Sequence, residues 1–437
     1  MPNARPSGKA LNVPAAKDCG CPQDGPRGLS RRGFLGAAAA AGTLGAVSTV
    51  VGDFGSMQLA YADAGYTGDV LVVISLRGGF DGLSAIVPAA DPNYLAARPT
   101  IGIPTSRLIP LTSTFGLHPA LNKLKPLWDA GLFGVVHAVG QADPTRSHFD
   151  AMDQMERAAP GSSLRTGWIN RMVGLSGPGS TFAQSSLSTS TAPSSFLGPA
   201  PSITLGSIDS FGLDGSGDAA DRARWSKTLR TMYRGQHQIV LGPAMATLNA
   251  IGATSAMKSA GYRPANGAQY PDGLGRALRD VARMIKAGVG LRVVAIDMGN
   301  WDMHDGLGRS DGGWMFRQLT ELGSALAAFA TDIGPGMPGV NVVTLSEFGR
   351  RVQENGSGGV DHGHGNAVFL LGGGVAGGQV LGRWPGLAPS ALDDGDLAGT
   401  TDYRTILAEL LEKRGGLGGA KVFPGVSKDR VGIVKSR

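Results

Sequence analysis

The sequence predicts an α/β fold, a doubly wound and mostly parallel sheet with helices on both faces. Three observations carry that expectation. Continuous runs rich in valine and isoleucine, such as Val70-Leu71-Val72-Val73-Ile74, mark strands buried on both faces. Such runs alternate with helical stretches, the pattern of a parallel sheet with crossovers. Carboxylates come after the runs (Asp81, Asp297, Asp302, Glu347), two of them almost at once, at the carboxyl edge where ligands gather in open sheets.

Residues 1–62 read as a leader. Ser30-Arg31-Arg32-Gly33-Phe34-Leu35 precedes an apolar run of small residues from Ala37 to Val51, and Ala60-Tyr61-Ala62 offers a small-x-small cleavage site. Adjacent arginines before Phe-Leu fit a twin-arginine signal better than a Sec signal. Gly42, Gly45, Gly52 and Asp53 interrupt the run, which argues against a transmembrane anchor and for no stable membrane span after cleavage. The implied partner is the twin-arginine export machinery, and the destination is periplasmic or extracellular.

From residue 63 to 437 a single α/β domain is expected. Its first strand, 69–76, runs into Arg77-Gly78-Gly79-Phe80-Asp81-Gly82-Leu83, where glycines permit a sharp turn and a close approach to a ligand. A short helix follows at 119–130, with Pro at its start, and then a strand at 132–139. Helical periodicity begins near Thr145-Arg146-Ser147-His148, with Thr145 or Ser147 as N-cap. Another short helix covers 167–175. Residues 176–201, rich in Ser, Thr, Gly and Pro, read as an exposed loop inserted in the domain. The strand at 203–205, helices over 221–260 and 271–287, strands at 291–296, 340–345 and 367–371, and a helix at 313–330 complete the body. The last helix opens at Asp402, suited to capping, and closes at Gly415-Gly416.

Composition narrows the function. Of 40 Lys/Arg and 34 Asp/Glu in 437 residues, the leader holds six and three, leaving 34 basic and 31 acidic residues. Without a basic tract or interleaved aromatics, nucleic acid is a poor partner. Both cysteines, Cys19 and Cys21, lie in the leader, so any metal in the body must be held by His, carboxylate or other oxygen donors.

Those donors concentrate in two places. Asp302-Met303-His304 follows a strand, with Asp297 and Asp305 beside it; carboxylate and imidazole suit a divalent ion. Asp361-His362-Gly363-His364 places two alternating histidines in a glycine-rich loop. Glu347 is open to two readings, metal ligand or partner of Arg350 or Arg351. Asp81 is either a ligand or a carboxylate capping the next turn. Ser147 could be a nucleophile at a helix start or a simple cap. His148 could be a ligand or a proton carrier. Arg77 and Arg146 could grip an oxyanion or serve in ion pairs. His118 and His137, in apolar settings, read as satisfied core residues, and nothing singles out His237.

At these residues the chain resembles the DUF1501 family, many of whose members carry twin-arginine signals. The matching segments are Arg77 to Leu83, Leu117-His118-Pro119-Ala120-Leu121, Arg146-Ser147-His148-Phe149-Asp150, Trp301-Asp302-Met303-His304, Ser346-Glu347-Phe348-Gly349-Arg350 and Asp361-His362-Gly363. Together they carry the resemblance over roughly residues 69–415. The family resembles a branch of the alkaline phosphatase and sulfatase superfamily. That likeness implies one or two metals held by a first-strand Asp, a Ser-type nucleophile at a helix start, an Asp/His pair, a strand-end Asp-His and a late His. The order here is similar: Asp81, Ser147, Asp302 with His304, Glu347, then Asp361, His362 and His364. One departure stands out. Glu347-Phe348 replaces Asp-His and removes an expected imidazole, which His362 or His364 would have to supply.

The resulting expectation is an exported hydrolase of small-molecule or polymer phosphate or sulfate esters, dependent on a divalent metal (zinc, manganese, iron or calcium). Its ligands would come from Asp81, Asp302, His304, Glu347, Asp361, His362 and His364. Ser147 or a water would attack, with Arg77 or Arg146 on the non-bridging oxygens. The alternative is a non-catalytic, envelope-associated exported protein with a vestigial or structural metal, which the missing strand-end His favours. A metal-dependent isomerase or mutase is a third, weaker reading.

Overall fold

Val72, Ile74 and Leu76 face one hydrophobic core, and Leu71 and Val73 face another, so the first strand has no solvent side. The computed structural model describes residues 68–188, 191–213 and 218–437, which all fall in one compact unit. The leader, with Arg31-Arg32 and the Ala62 cleavage site, lies outside the described residues.

The main sheet has nine strands. They are β1 (Val70–Leu76), β2 (Phe133–Gly140), β3 (Gln184–Leu187), β4 (Ile203–Leu205), β5 (Val293–Met298), β6 (Val340–Leu345), β7 (Asn366–Gly372), β8 (Val380–Leu381) and β9 (Thr401–Asp402). Across the sheet the order is β8-β2-β7-β6-β1-β5-β3-β4, with β9 also paired to β2. Every pairing is parallel except those of β7, which runs antiparallel to both β2 and β6.

The principal helices are α1 (His148–Arg157), α2 (Trp168–Leu175), α3 (Ala219–Tyr233), α4 (Gln238–Ala260), α5 (Leu274–Lys286), α6 (Trp314–Ile333) and α7 (Tyr403–Arg414). Leu278 and Val281 of α5 and Leu322 and Leu326 of α6 join the core of Val72 and Ile74. Met152 and Met155 of α1, Ile169 of α2 and Ile406 of α7 join the core of Leu71 and Val73. Helices therefore cover both faces, as expected. Each fully buried Val or Ile of β1 contributes roughly 1.5–3 kcal/mol relative to exposure. The two expected caps are present: Ser147 accepts from Asp150 N, and Asp402 from Arg404 N.

One expectation needs correction. Residues 176–201 are not wholly an exposed loop, because β3 lies within them, fully buried between β5 and β4. Its Gln-Ser-Ser-Leu sequence carries no apolar run. Its polar groups are satisfied nearby instead: Ser185 donates to Phe182 O at 2.9 Å, and Gln184 reaches Phe196 O.

The topology brings distant segments to one edge. Strands β1, β2, β5 and β6 point the same way, so the segments after each of them gather there. Because β7 runs backwards, the 346–365 connection that leads into it sits at the same edge.

Candidate metal centre

Four of these segments build the site. After β5, buried and exposed residues alternate. Trp301 and Met303 are 1% exposed and anchored in the core, Trp301 edge-on to Phe80 at 4.9 Å, which turns Asp302 and His304 outward. After β1, Gly78 has φ +117°, and a Cβ there would lie 2.5 Å from Asp302 N. Only glycine permits this approach of the two loops. After β6, Glu347 turns inward and is 2% exposed. A Cβ on Gly349 would collide with the Gly365 carbonyl oxygen, so the 346–350 turn packs directly on the histidine loop. After β2, Gln141 Nε2 donates to Glu347 O (2.6 Å) and Ala151 O (2.9 Å), strapping the start of α1 to this turn.

Three imidazoles converge. Nε2 of His362 lies 3.0 Å from Nε2 of His148 and 3.0 Å from Nε2 of His304. The Asp302 carboxylate closes the group, 3.0 Å from His304 Nε2, 3.2 Å from His362 Nε2 and 3.5 Å from His148 Nε2. Among the described residues, His148, Asp302 and His362 form a group whose donor atoms suit one ion.

The far nitrogens fix the tautomers. His148 donates from Nδ1 to Glu347 Oε1 at 2.8 Å, His304 to Asp361 Oδ1 at 2.7 Å, and His362 to Arg146 O at 2.9 Å. A carboxylate or carbonyl oxygen only accepts, so each proton sits on Nδ1 and each neutral ring turns an Nε2 lone pair to the shared centre. Three lone pairs at such distances repel. A proton on His362 would serve only one of its two contacts. Tetrahedral zinc, with bonds of about 2.0–2.1 Å, separates its nitrogen ligands by roughly 3.3 Å, so the donor set fits a cation with small adjustments. Carboxylate or carbonyl partners on metal-ligating imidazoles are the usual outer layer of such sites.

Arg350 organises the rest. Its buried guanidinium donates to Gly79 O (2.7 Å), Val360 O (3.0 Å), Trp301 O (3.0 Å) and Gly78 O, and to Asp302 Oδ1 at 2.6 Å. Burial alone would raise the Asp302 carboxyl; the Arg350 hydrogen bond and charge outweigh it and hold it at about 2. Burial pushes the His362 imidazole below its ordinary value, and the His304 hydrogen bond lowers Asp361. The Phe348 ring lies 4.8 Å from the rings of both His148 and His362, a floor beneath two ligands. Side chains of Asp302 and His304 are nearly half exposed, so the centre is open on that side.

The expected residues sort accordingly. Asp302, His304 and His362 meet at the centre, and His148 joins them as a ligand candidate. Glu347 and Asp361 stand behind the rings and bind their Nδ1 protons. Asp81 is not brought in: Arg98 occupies both its oxygens at 2.6 and 3.0 Å, and both side chains are buried. His364 faces away, toward Gln141 O at 3.3 Å and Asp393. Neither candidate oxyanion grip is free, since Arg77 pairs with Glu156 and Asp297, and Arg146 with Asp394 and Asp396. Ser147 serves as the α1 cap, its Oγ accepting from Asp150 N at 3.4 Å.

His118 and His137 are satisfied core residues. They are 1% exposed, accept from Ala120 N and Ala138 N, and are pushed by burial to about 4. The roles of Phe348, Arg350, Gln141 and Asn355 (which donates to His304 O and Asp361) went unmarked in the sequence. The one available signal was the Ser346-Glu347-Phe348-Gly349-Arg350 block, whose composition does not reveal which member faces inward.

The profile of the family described as "Protein of unknown function (DUF1501)" matches residues 135–414. No curated protein matches the chain in sequence. Among solved structures, the crystal structure of the lipoteichoic acid synthase LtaP from Listeria monocytogenes is similar at 8% identity and a TM-score of 0.30, over 77% of this chain and 71% of that one.

Proposed function

The chain belongs to the DUF1501 family, and within it we propose an exported hydrolase of phosphate or sulfate esters that uses a divalent ion held by His148, Asp302, His304 and His362. One observation carries the reading: three imidazoles, each tied at Nδ1 to an acceptor, turn Nε2 toward a single carboxylate. Charge supports a divalent ion. With the three rings acting as neutral ligands, Asp302 and Arg350 cancel, and the carboxylates of Glu347 and Asp361 leave two negative charges for the ion to balance. The resemblance of the family to the alkaline phosphatase and sulfatase superfamily suggests the ester class, on the part of the shared order that reaches the centre: Asp302, His304 and His362, with Glu347 and Asp361 behind them.

Bound there, such an ion supplies Lewis acidity toward an ester oxygen and lowers the pKa of nearby water. The protein's own residues do the rest. Glu347 and Asp361 keep His148 and His304 in the tautomer that leaves Nε2 free, and Arg350 keeps Asp302 ionised and aimed. The exposed flank of Asp302 and His304 admits the substrate. The Ser147 hydroxyl is engaged as a helix cap, so the attacking oxygen is assigned to water. Arg31-Arg32 and the apolar run after them support export in the folded state.

The alternative, a non-catalytic protein with a vestigial or structural metal, is favoured by the absent strand-end imidazole; in the reading proposed here His148 would supply a ring in its place. The decisive experiment is elemental analysis of the purified protein together with a screen of nitrophenyl phosphate monoesters, diesters and sulfate. Stoichiometric divalent metal with turnover that a chelator removes is the expected result. Metal without turnover on any ester would leave the binding site and reject the hydrolase.

A further inference from the structure

Helix α3 buries none of its residues. On its outer side stand Trp225 and Met232, 55% and 63% exposed and seven positions apart, hence on one face. The turn into α4 adds Ile239 and Val240, 48% and 42% exposed. Half of the large hydrophobic side chains exposed among the described residues therefore sit on this one hairpin. Helix α4 has a mean hydropathy of 1.3 and is apolar enough by length and composition to cross a membrane, yet only its later part packs on the body, through Leu248, Ala250, Thr254 and Met257.

Charge is concentrated on the same hairpin, with Arg222 beside Trp225 and with Lys227 and Arg234 on the opposite flank of the helix. From Arg222 to Lys258 the chain has six cations and no carboxylate. Arg222, Lys227 and Arg234 are exposed and have no ion-pair partner among the described residues. A folded domain gains nothing from holding Trp and Met in water beside unpaired cations. Together these are the components of interfacial binding to an anionic bilayer, with aromatic and thioether groups at headgroup depth and cations over the lipid phosphates.

We propose that the α3–α4 hairpin, presenting Trp225, Met232, Arg222, Lys227 and Arg234, docks the protein peripherally on a negatively charged lipid surface. The contact is reversible, lies in the interface plane and spans nothing. It uses no residue of the candidate metal centre, so it stands independently of the hydrolase reading.

The leader and the rest of the chain can be separated from the hairpin in one measurement, because residues 1–62 contain no tryptophan. The full chain is mixed with phosphatidylglycerol/phosphatidylcholine vesicles carrying brominated acyl chains, and tryptophan fluorescence is followed. Quenching is expected in the wild type and lost in Trp225→Phe. It is expected to need a lipid concentration higher by a factor on the order of a hundred when Arg222, Lys227 and Arg234 are changed to Gln, which leaves Trp225 in place. Salt at 0.5 M should weaken it in the same direction, since the Debye length then falls well below 10 Å. Circular dichroism confirms that the exposed-site variants fold. Equal quenching in wild type and Trp225→Phe, or on pure phosphatidylcholine, would overturn the proposal. So would a dimer that Trp225→Ser with Met232→Ser returns to monomer, with no quenching in the wild type; that result would assign the face to a second copy.

Discussion

Glu347 Oε1 accepts two hydrogen bonds at 2.8 Å, from His148 Nδ1 and from Gly78 N, and so joins a candidate ligand to the glycine turn after the first strand. The carboxylate that the sequence offered as a ligand instead sets the tautomer of one. Glu347→Gln keeps the shape but loses the charge behind the ring. Metal affinity is expected to fall about 10–100-fold, the usual cost of an outer-layer change. Competition with a fluorescent chelator measures it, and an unchanged affinity would remove Glu347 from the site.

The two histidines of the glycine-rich loop should behave differently. His304→Ala with His362→Ala is expected to abolish bound metal in elemental analysis. His364→Ala, whose ring contacts Gln141 O, should retain it in full. Metal retained by the double variant would sink the assignment of the centre.

Ser147→Ala removes a cap and little else. Stability should drop by about 1 kcal/mol in urea unfolding, while turnover on whichever ester is found stays within a few-fold. Loss of all turnover with metal still bound would restore Ser147 as the nucleophile.

Asp81→Ala leaves the Arg98 guanidinium buried and unpaired. Breaking such a buried pair costs about 3–5 kcal/mol, so the variant is expected to unfold at markedly lower urea. Its folded fraction should still bind metal, because Asp81 contacts no ligand candidate. Metal loss in a fully folded Asp81 variant would contradict this placement.

Acid should weaken the fold through His118 and His137. Burial depresses both to about 4 from an ordinary 6.5. The unfolded chain therefore takes up protons near pH 6.5 while the folded chain does not until about pH 4. Their contribution is fully present above pH 6.5 and is lost as pH falls through that window, by roughly 3 kcal/mol each. Unfolding free energies between pH 7 and 4 should slope accordingly, with a shallower slope in His137→Gln.

The fold was legible because β1, β5 and β6 are buried on both sides and their sequences say so without ambiguity. Strand β3 was not, since Gln184-Ser185-Ser186 satisfies its polar groups locally and leaves no apolar pattern. Within the site, Asp302, His304 and His362 were readable from residue type and from their place after strands. For His148 the sequence does not separate ligand from proton carrier, because a position at a helix start says nothing of ring direction. Asp81 misled for a related reason. An acid after a first strand can turn to either side of the loop, and the buried Arg98 that claims it lies in a segment with no motif of its own.

The donors of the centre come from three connections that lie far apart in the chain and meet only when β2, β5, β6 and β7 are aligned. No fragment and no extended thread of this polypeptide would present all four donors to one ion. Under the proposed function, loading would follow tertiary assembly, since the donor set is a product of topology and not of local sequence. The choice of metal would then fall to the ion pool of whichever compartment folds the chain, before any substrate is met.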